Sequence, residues 1–278
     1  MVALTLITVL SLLLYVFLIC RYACRWNHTP EYVPGPVENT PCFSVILPFR
    51  NEEKHLPGIM NDLSTQDYPP GKIEVILVND RSDDQSWSVA NEFCQHHDNF
   101  SVIIPPAGKT GKKEALHAGI LAARHEIIVT TDADCRAGRR WLSTLASFYC
   151  DVSPAMIIGL VVPHTGEKGF FHYFQQLECI SLTGAGAASA VDRKPIYCSG
   201  ANLCYRKDLY LRFSDPMLQS VFSGDDTFLL LKMKKKYREG IRVLKSKDAL
   251  IRTKAEATPA DFFRQRSRWI SKSFLYRD

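Results

Sequence analysis

The chain has 278 residues, 46% of them hydrophobic and 23% charged, and a formal net charge of +5. That length supports one large domain with a sizeable core plus an anchor, and the composition excludes a globally disordered chain. A charge this modest does not call for nucleic acid as a partner, so the placement of the basic residues carries more weight than their sum.

From Val2 to Cys20 there is no charged residue, a run long enough to cross a bilayer as a helix. Arg21 and Arg25 follow at once, with Tyr22 and Trp26 at interface depth. Positive charge on this flank puts it in the cytoplasm and the N-terminus outside. A cleaved signal peptide needs a basic region before the apolar run, and Met1-Val2-Ala3-Leu4 offers none. Cleavage at Cys20 would want small residues where Phe17-Leu18-Ile19 stand. An uncleaved anchor over residues 1–26 is expected. Residues 27–41, with four prolines, read as a linker.

Strand and helix signals then alternate. Phe43 to Leu47 is a short apolar strand, with a helix starting near Pro57. Ile73 to Val78 is a second strand, and Asp84 to His96 a helix. Ser101 to Ile104 is a third strand, followed by a helix from Lys112 to Ala123. Ile127 to Thr131 is a fourth strand and Met156 to Val162 a fifth. Phe170 to Leu182 reads as a helix, Gly184 to Ala190 as a small-residue stretch, and Tyr197 to Tyr205 as a strand or turn. Asp225 to about Lys236 is a helix, and Asp261 to Tyr276 a strongly basic one. This alternation predicts an α/β fold with a mainly parallel sheet covered on both faces. Ligands of such sheets bind beyond the carboxyl ends of the strands, where Asp80 and Asp132/Asp134 stand. The nine cysteines form no Cys-x-x-Cys pair and read as small buried hydrophobes in a reducing compartment.

Several motifs have both a chemical and a plain reading. Asp132-Ala133-Asp134 places alternating carboxylates after a strand, suited to sharing a hard cation with a diphosphate, or to capping a helix. Asp80 suits a base N–H or a ribose hydroxyl, or loop chemistry before the next helix. Gly111-Lys112 puts an ammonium beside free helix N–H groups, a diphosphate site or a solvated helix start. Gly224-Asp225-Asp226 offers a general base, or an acidic N-terminus favoured by the helix dipole. Gln265-Arg266-Ser267-Arg268-Trp269 combines a guanidinium fork with a flat ring for phosphate and sugar. With Phe262, Phe263, Arg264 and Ile270 around it, the same segment suits an anionic membrane surface.

The order of these motifs is more specific than any one of them. Ser-Val-Ile-Leu-Pro-Phe-Arg-Asn-Glu-Glu, Val-Asn-Asp-Arg-Ser, Gly-Lys-Lys-Glu-Ala-Leu, Thr-Asp-Ala-Asp, Cys-Ser-Gly-Ala-Asn, Ser-Gly-Asp-Asp and Gln-Arg-Ser-Arg-Trp follow one another from Phe43 to Trp269. Together they resemble the family 2 glycosyltransferases, most closely the membrane-integrated branch with the QxxRW motif that includes cellulose, chitin and hyaluronan synthases.

The resemblance implies a GT-A fold over residues 42–260, a basic interfacial helix over 261–278, and inverting transfer from a nucleotide-sugar donor, a UDP-sugar by analogy. Asp80 would contact the base region and Lys112 the diphosphate. Asp132 and Asp134 would serve Mg2+ or Mn2+ and the donor, and Asp226 would be the catalytic base. Ser199 and Gly200 would lie near the acceptor, and Gln265, Arg268 and Trp269 would close over donor and acceptor. Membrane lipids are expected partners, and the acceptor is a saccharide or, alternatively, a lipid such as a polyprenyl phosphate. Nucleotidyl transfer and a catalytically silent scaffold are further alternatives. Asn79 stands where the family often has Asp, His117 where Asn is common, and Asp225 where Glu is usual. Relatives of this type continue into further membrane helices beyond QxxRW, whereas this sequence ends at Asp278.

Overall fold

A computed structural model describes residues 1–164, 168–215 and 224–271. The chain opens with α1 (Val2–His28), which buries none of its residues. Next come β1 (Phe43–Phe49), α2 (Leu56–Ser64), β2 (Ile73–Asn79), α3 (Ser86–Gln95), β3 (Phe100–Ile103), α4 (Lys112–Ala122) and β4 (Ile127–Thr130). The middle holds β5 (Cys135–Ala137), α5 (Trp141–Val152), β6 (Met156–Ile158), β7 (Val161–Pro163), α6 (Phe170–Val191), β8 (Leu203–Arg206) and α7 (Lys207–Leu211). The last elements are α8 (Asp225–Tyr237), β9 (Ile241–Val243), β10 (Ile251–Thr253) and α9 (Pro259–Ile270).

The central sheet runs β3-β2-β1-β4-β8-β6-β9, and β5-β10-β7 form a second, smaller sheet. β1, β2, β3 and β4 pair in parallel, while β8 is antiparallel to both β4 and β6. Every residue of β1 and β2 is buried, as a parallel sheet covered on both faces requires. Alternation along β1 feeds two cores. Phe43, Val45 and Leu47 meet α2 and α5, whereas Ile46 meets α4 and α8 residues including Ile120 and Leu230. Strand order reverses between β1 and β4, so the loops leaving them diverge and open a crevice at their carboxyl ends. Because β8 runs against β4, with Thr130 opposite Leu203, the residues just before β8 arrive at that same end.

Several expectations need correction. The stretch Met156–Val162 is two strands, β6 in the large sheet and β7 in the small one. They part at Gly159, where a Cβ would lie 2.2 Å from the Asn202 side chain. Asn202 accepts from the Trp141 indole (3.0 Å) and donates to the carbonyls of Leu160 and Ala249 (2.9 Å each), tying the two sheets together. The small-residue stretch 184–190 continues α6, and its small side chains let the backbone approach Tyr197, whose ring would lie 2.8 Å from a Cβ at Gly186. Helix α5 carried no expectation. Its Trp141, Leu142, Leu145 and Ala146 are fully or almost fully buried. The basic helix starts at Pro259 rather than Asp261, because Thr258 caps it by accepting the Asp261 N–H, and its expected end past Ser271 lies outside the described residues. Of the nine cysteines, Cys135, Cys198 and Cys204 are buried, whereas Cys20, Cys24 and Cys150 are exposed.

Candidate active site

The floor of the crevice is the end of β4. Thr130 is the last residue of the strand, and the chain turns through Asp132 and Asp134 into β5. Asp134 is half-buried on the cleft wall. Burial first, and the Asp132 charge second, push its carboxyl up to about 6, with Lys112 pulling the other way. Lys112 is the first residue of α4, and its ammonium pairs with Asp132 at 2.7 Å. Gly111, just before it, has φ +98°, a conformation natural to glycine. The Gly111 N–H donates to both oxygens of the buried Asp80 carboxylate at 2.8 and 3.0 Å. Asp80 thus fixes the turn that aims Lys112, and it is not among the residues lining the crevice.

A further acid arrives from α8. Gly224, with φ +85°, precedes the helix, and Asp226 follows in its first turn. One Asp226 oxygen accepts from the Gly200 N–H at 3.0 Å, the other from the Thr227 N–H at 2.7 Å. Gly200 is itself held by its carbonyl, which accepts from the Thr130 hydroxyl at 2.6 Å. The end of β4 therefore carries Asp132 and Asp134 and, through Gly200, also sets Asp226. Burial first, then the Asp226 charge, push the Tyr197 phenol up, which keeps it protonated as a donor on the same wall.

Helices α6 and α9 form the remaining walls of a cleft of about 600 Å³. Arg266 donates to Glu178 of α6, at 2.6 Å through Nε, and its guanidinium lies between the rings of Phe262 and Trp269, 4.4 and 4.1 Å from their centroids. Gln265 donates to the Glu256 carboxylate at 2.6 Å, and Gln175 of α6 bonds the Glu256 backbone at 2.9 and 3.0 Å. The QxxRW segment is thereby clamped to α6.

Nine of the ten residues singled out from the sequence line this one cleft: Lys112, Asp132, Asp134, Ser199, Gly200, Asp226, Gln265, Arg268 and Trp269. Asp80 is the exception. Among the substitutions, the Asn79 side chain accepts from the Ser82 N–H at 2.9 Å, and His117 pairs with the Tyr210 hydroxyl at 2.8 Å; burial lowers its pKa. Sequence reasoning missed the α6 wall, including Gln175, Glu178 and Thr183, and it missed Arg266 as the clamp. A lone acid inside the apolar run Phe170–Leu182 was the available signal.

Residues 44–212 match the profile of Glycosyl transferase family 2. The chain belongs to that family. Over 100 residues it is 32% identical to the probable glycosyltransferase YdaM of Bacillus subtilis, covering 35% of this chain and 24% of that one. Over 98 residues it is 37% identical to human dolichyl-phosphate beta-glucosyltransferase, covering 33% and 30% respectively. These alignments span about a quarter to a third of the curated relatives' lengths. The fold is similar to that of mannosyltransferase PcManGT from Pyrobaculum calidifontis, solved in complex with GDP-Man and Mn2+. That match has a TM-score of 0.71 at 20% identity and covers 98% of this chain and 75% of the other. The architecture is GT-A-like.

The donor set in this family 2 chain fits a hard divalent ion. Among the described residues no group of three or more His, Cys, Asp or Glu forms a self-sufficient cage. Asp132 and Asp134 instead offer a two-carboxylate half-site, the kind that Mg2+ or Mn2+ completes with waters and ligand phosphates.

Proposed function

We propose that this chain is an inverting glycosyltransferase of the QxxRW-bearing branch, moving a sugar from a nucleotide-sugar donor, a UDP-sugar by family resemblance, to an acceptor hydroxyl. One observation carries the reading: Asp132, Asp134 and Asp226 line one cleft, and the end of β4 positions all three through Thr130 and Gly200. Residues 1–26 act as a membrane anchor, 27–41 as a linker, 42–260 as the catalytic domain on the cytoplasmic side, and 261–278 as a basic interfacial helix.

Asp226 takes the proton of the acceptor hydroxyl as its oxygen attacks the anomeric carbon. The bond from that carbon to the diphosphate oxygen breaks as the new glycosidic bond forms, and the nucleoside diphosphate leaves with inversion. Lys112, at the start of α4, and the Arg268 guanidinium hold the departing diphosphate, where charge accumulates. When bound, Mg2+ or Mn2+ at Asp132 and Asp134 supplies Lewis-acid stabilisation of that charge. Trp269 offers its face to the sugar. Ser199 and Gly200 sit on the acceptor side, beside the base. Asp80 acts from behind, by fixing the turn at Gly111.

A panel of nucleotide sugars with magnesium or manganese, read as nucleoside diphosphate released in the presence of acceptor, tests the assignment. Release of the nucleoside diphosphate from one donor supports it. Pyrophosphate release from a nucleoside triphosphate would replace it with nucleotidyl transfer.

A further inference from the structure

Four side chains lining the cleft are joined in one row of donors and acceptors: Glu256, Gln265, Arg266 and Glu178. The Gln265 amide donates through its nitrogen to the Glu256 carboxylate at 2.6 Å, and its oxygen accepts from Arg266. Arg266 also donates to both oxygens of Glu178, at 2.6 Å through Nε. The side chains of Arg266 and Glu178 are only 15% and 25% exposed. A forked ion pair withdrawn from water keeps one geometry, because losing either partner strands the charge of the other.

What the fork holds is a plane. The Arg266 guanidinium lies between two rings that differ in their surroundings. Phe262 is buried edge-on against Phe171 and Phe174 of α6, at 5.9 and 5.7 Å between centroids. Trp269 is 37% exposed and lines the cleft. One face of the guanidinium thus rests on a fixed ring, and the other supports a ring open to ligand. A cation attracts the face of an indole through its quadrupole, so the plane of the guanidinium sets the plane of the ring. The two arginines of the segment therefore do different work. Arg266 is engaged by Glu178, whereas Arg268 is exposed, lines the cleft and has no carboxylate partner among the described residues. Arg266 also shares a wall with the candidate base: beyond burial, which raises it most, the Tyr197 phenol is raised by the Asp226 charge and lowered by that of Arg266.

We propose that Glu178 is a positioning residue for sugar transfer: by fixing the Arg266 guanidinium, it presets the Trp269 ring and the Gln265 amide before substrate arrives. This deepens the function proposed above and rests on it for the roles of Trp269 and Gln265. Glu178 acts wholly through Arg266, which stands at one of the two unspecified positions of QxxRW. Two of the motif's named side chains are then oriented from α6, and the third, Arg268, is left to the ligand.

The test uses the full chain in detergent, labelled with 5-fluorotryptophan and read by fluorine NMR. The chain has four tryptophans, and Trp269→Phe assigns the resonance of Trp269. Glu178→Gln keeps the size of the side chain and removes its charge, while Arg266→Lys keeps the charge and removes the plane. Both are expected to shift the Trp269 resonance and to leave those of Trp87 and Trp141 in place. Arg264→Ala removes a 79% exposed cation from the same helix and should move none of them. A Trp269 resonance that stays in place in both variants, or that moves as far in Arg264→Ala, overturns the proposal. If Glu178→Gln is not recovered folded, Glu178→Asp, which withdraws the fork by one methylene, gives the same reading. With a donor from the panel above, Glu178→Gln should also lower kcat about tenfold, the scale of a slight misplacement near the reacting atoms, with donor KM changed by less than about threefold. An unchanged kcat reduces the pair to a tie between helices and equally overturns the positioning role. The fluorine measurement needs no donor, so a chain without turnover fails the proposed function while the Trp269 shift is still decided.

Discussion

The two ends of the central sheet treat carboxylates in opposite ways. At the amino end, Glu74 of β2 accepts from the Ser44 hydroxyl, from the Arg124 N–H and guanidinium (2.7 Å through Nε) and from the His125 N–H at 3.3 Å. Burial raises its pKa, but these donors more than offset the effect and hold it below the ordinary glutamate value. At the carboxyl end, Asp134 is pushed up to about 6 by burial and by the neighbouring Asp132. One end gathers donors around a single charge, and the other gathers like charges around a space. The first arrangement holds strands together, and the second has the chemistry of the cation and donor site proposed above.

The largest effect expected at the carboxyl end is that of Asp226→Asn. It should lower kcat by about 10²–10⁴-fold, the usual contribution of a positioned base, while calorimetry still detects donor binding. Full turnover by this variant would remove Asp226 from the mechanism. Asp134→Asn is expected to cost about 10²–10³-fold in rate, on the scale of losing one preorganised electrostatic group. It should also raise the magnesium concentration needed for half-maximal rate, and an unchanged metal response would place the cation elsewhere.

At the amino end the expected signature is reversed. Glu74→Gln should leave kcat/KM near the parent value and cost about 2 kcal/mol of stability, the scale of charge-assisted hydrogen bonds, measured by denaturant unfolding of the full chain in detergent. A carboxyl held below its ordinary value stabilises fully above that value, and the contribution is lost as pH falls through the lowered folded value. The parent should therefore lose stability below about pH 4.5 more steeply than Glu74→Gln does. Parallel acid limbs would mean that Glu74 is not the group that titrates.

The carboxyl end was the more legible of the two from sequence. Asp132, Asp134 and Asp226 sit next to glycines or strand ends that punctuate the chain, so their order alone suggested one site. Parallel β1, β2 and β4 were legible for a similar reason, being short apolar runs bounded by polar loops. The amino end gave no such signal, because Ser44, Glu74 and Arg124 are scattered singly, and only the register of β1 with β2 sets Ser44 opposite Glu74. Asp80 was legible as an acid at the end of β2, whereas the bond of its carboxylate with the Gly111 N–H was not, because 31 residues separate the two. The clamp of Arg266 on Glu178 joins residues 88 apart in sequence, with no local pattern to connect them.

The smallest expected effect bears on what joins the acids of the carboxyl end. Thr130 is buried, and its hydroxyl reaches the Gly200 carbonyl at 2.6 Å, while the amide of the same residue holds Asp226. Thr130→Val keeps the shape of the side chain and removes that donor. The loss of one neutral hydrogen bond, about 1 kcal/mol, corresponds to about fivefold in rate if it is felt at the base. If Thr130 works by aiming Asp226, the loss appears in kcat and vanishes when Thr130→Val is made in the Asp226→Asn background, a non-additivity that a double-mutant cycle measures directly. If it only ties β4 to the loop before β8, the same cost appears in unfolding free energy, kcat is unchanged, and the two substitutions add. Because Gly200 is bonded at once to the strand end and to Asp226, the cycle decides whether the carboxyl end is one connected device or a set of neighbouring groups.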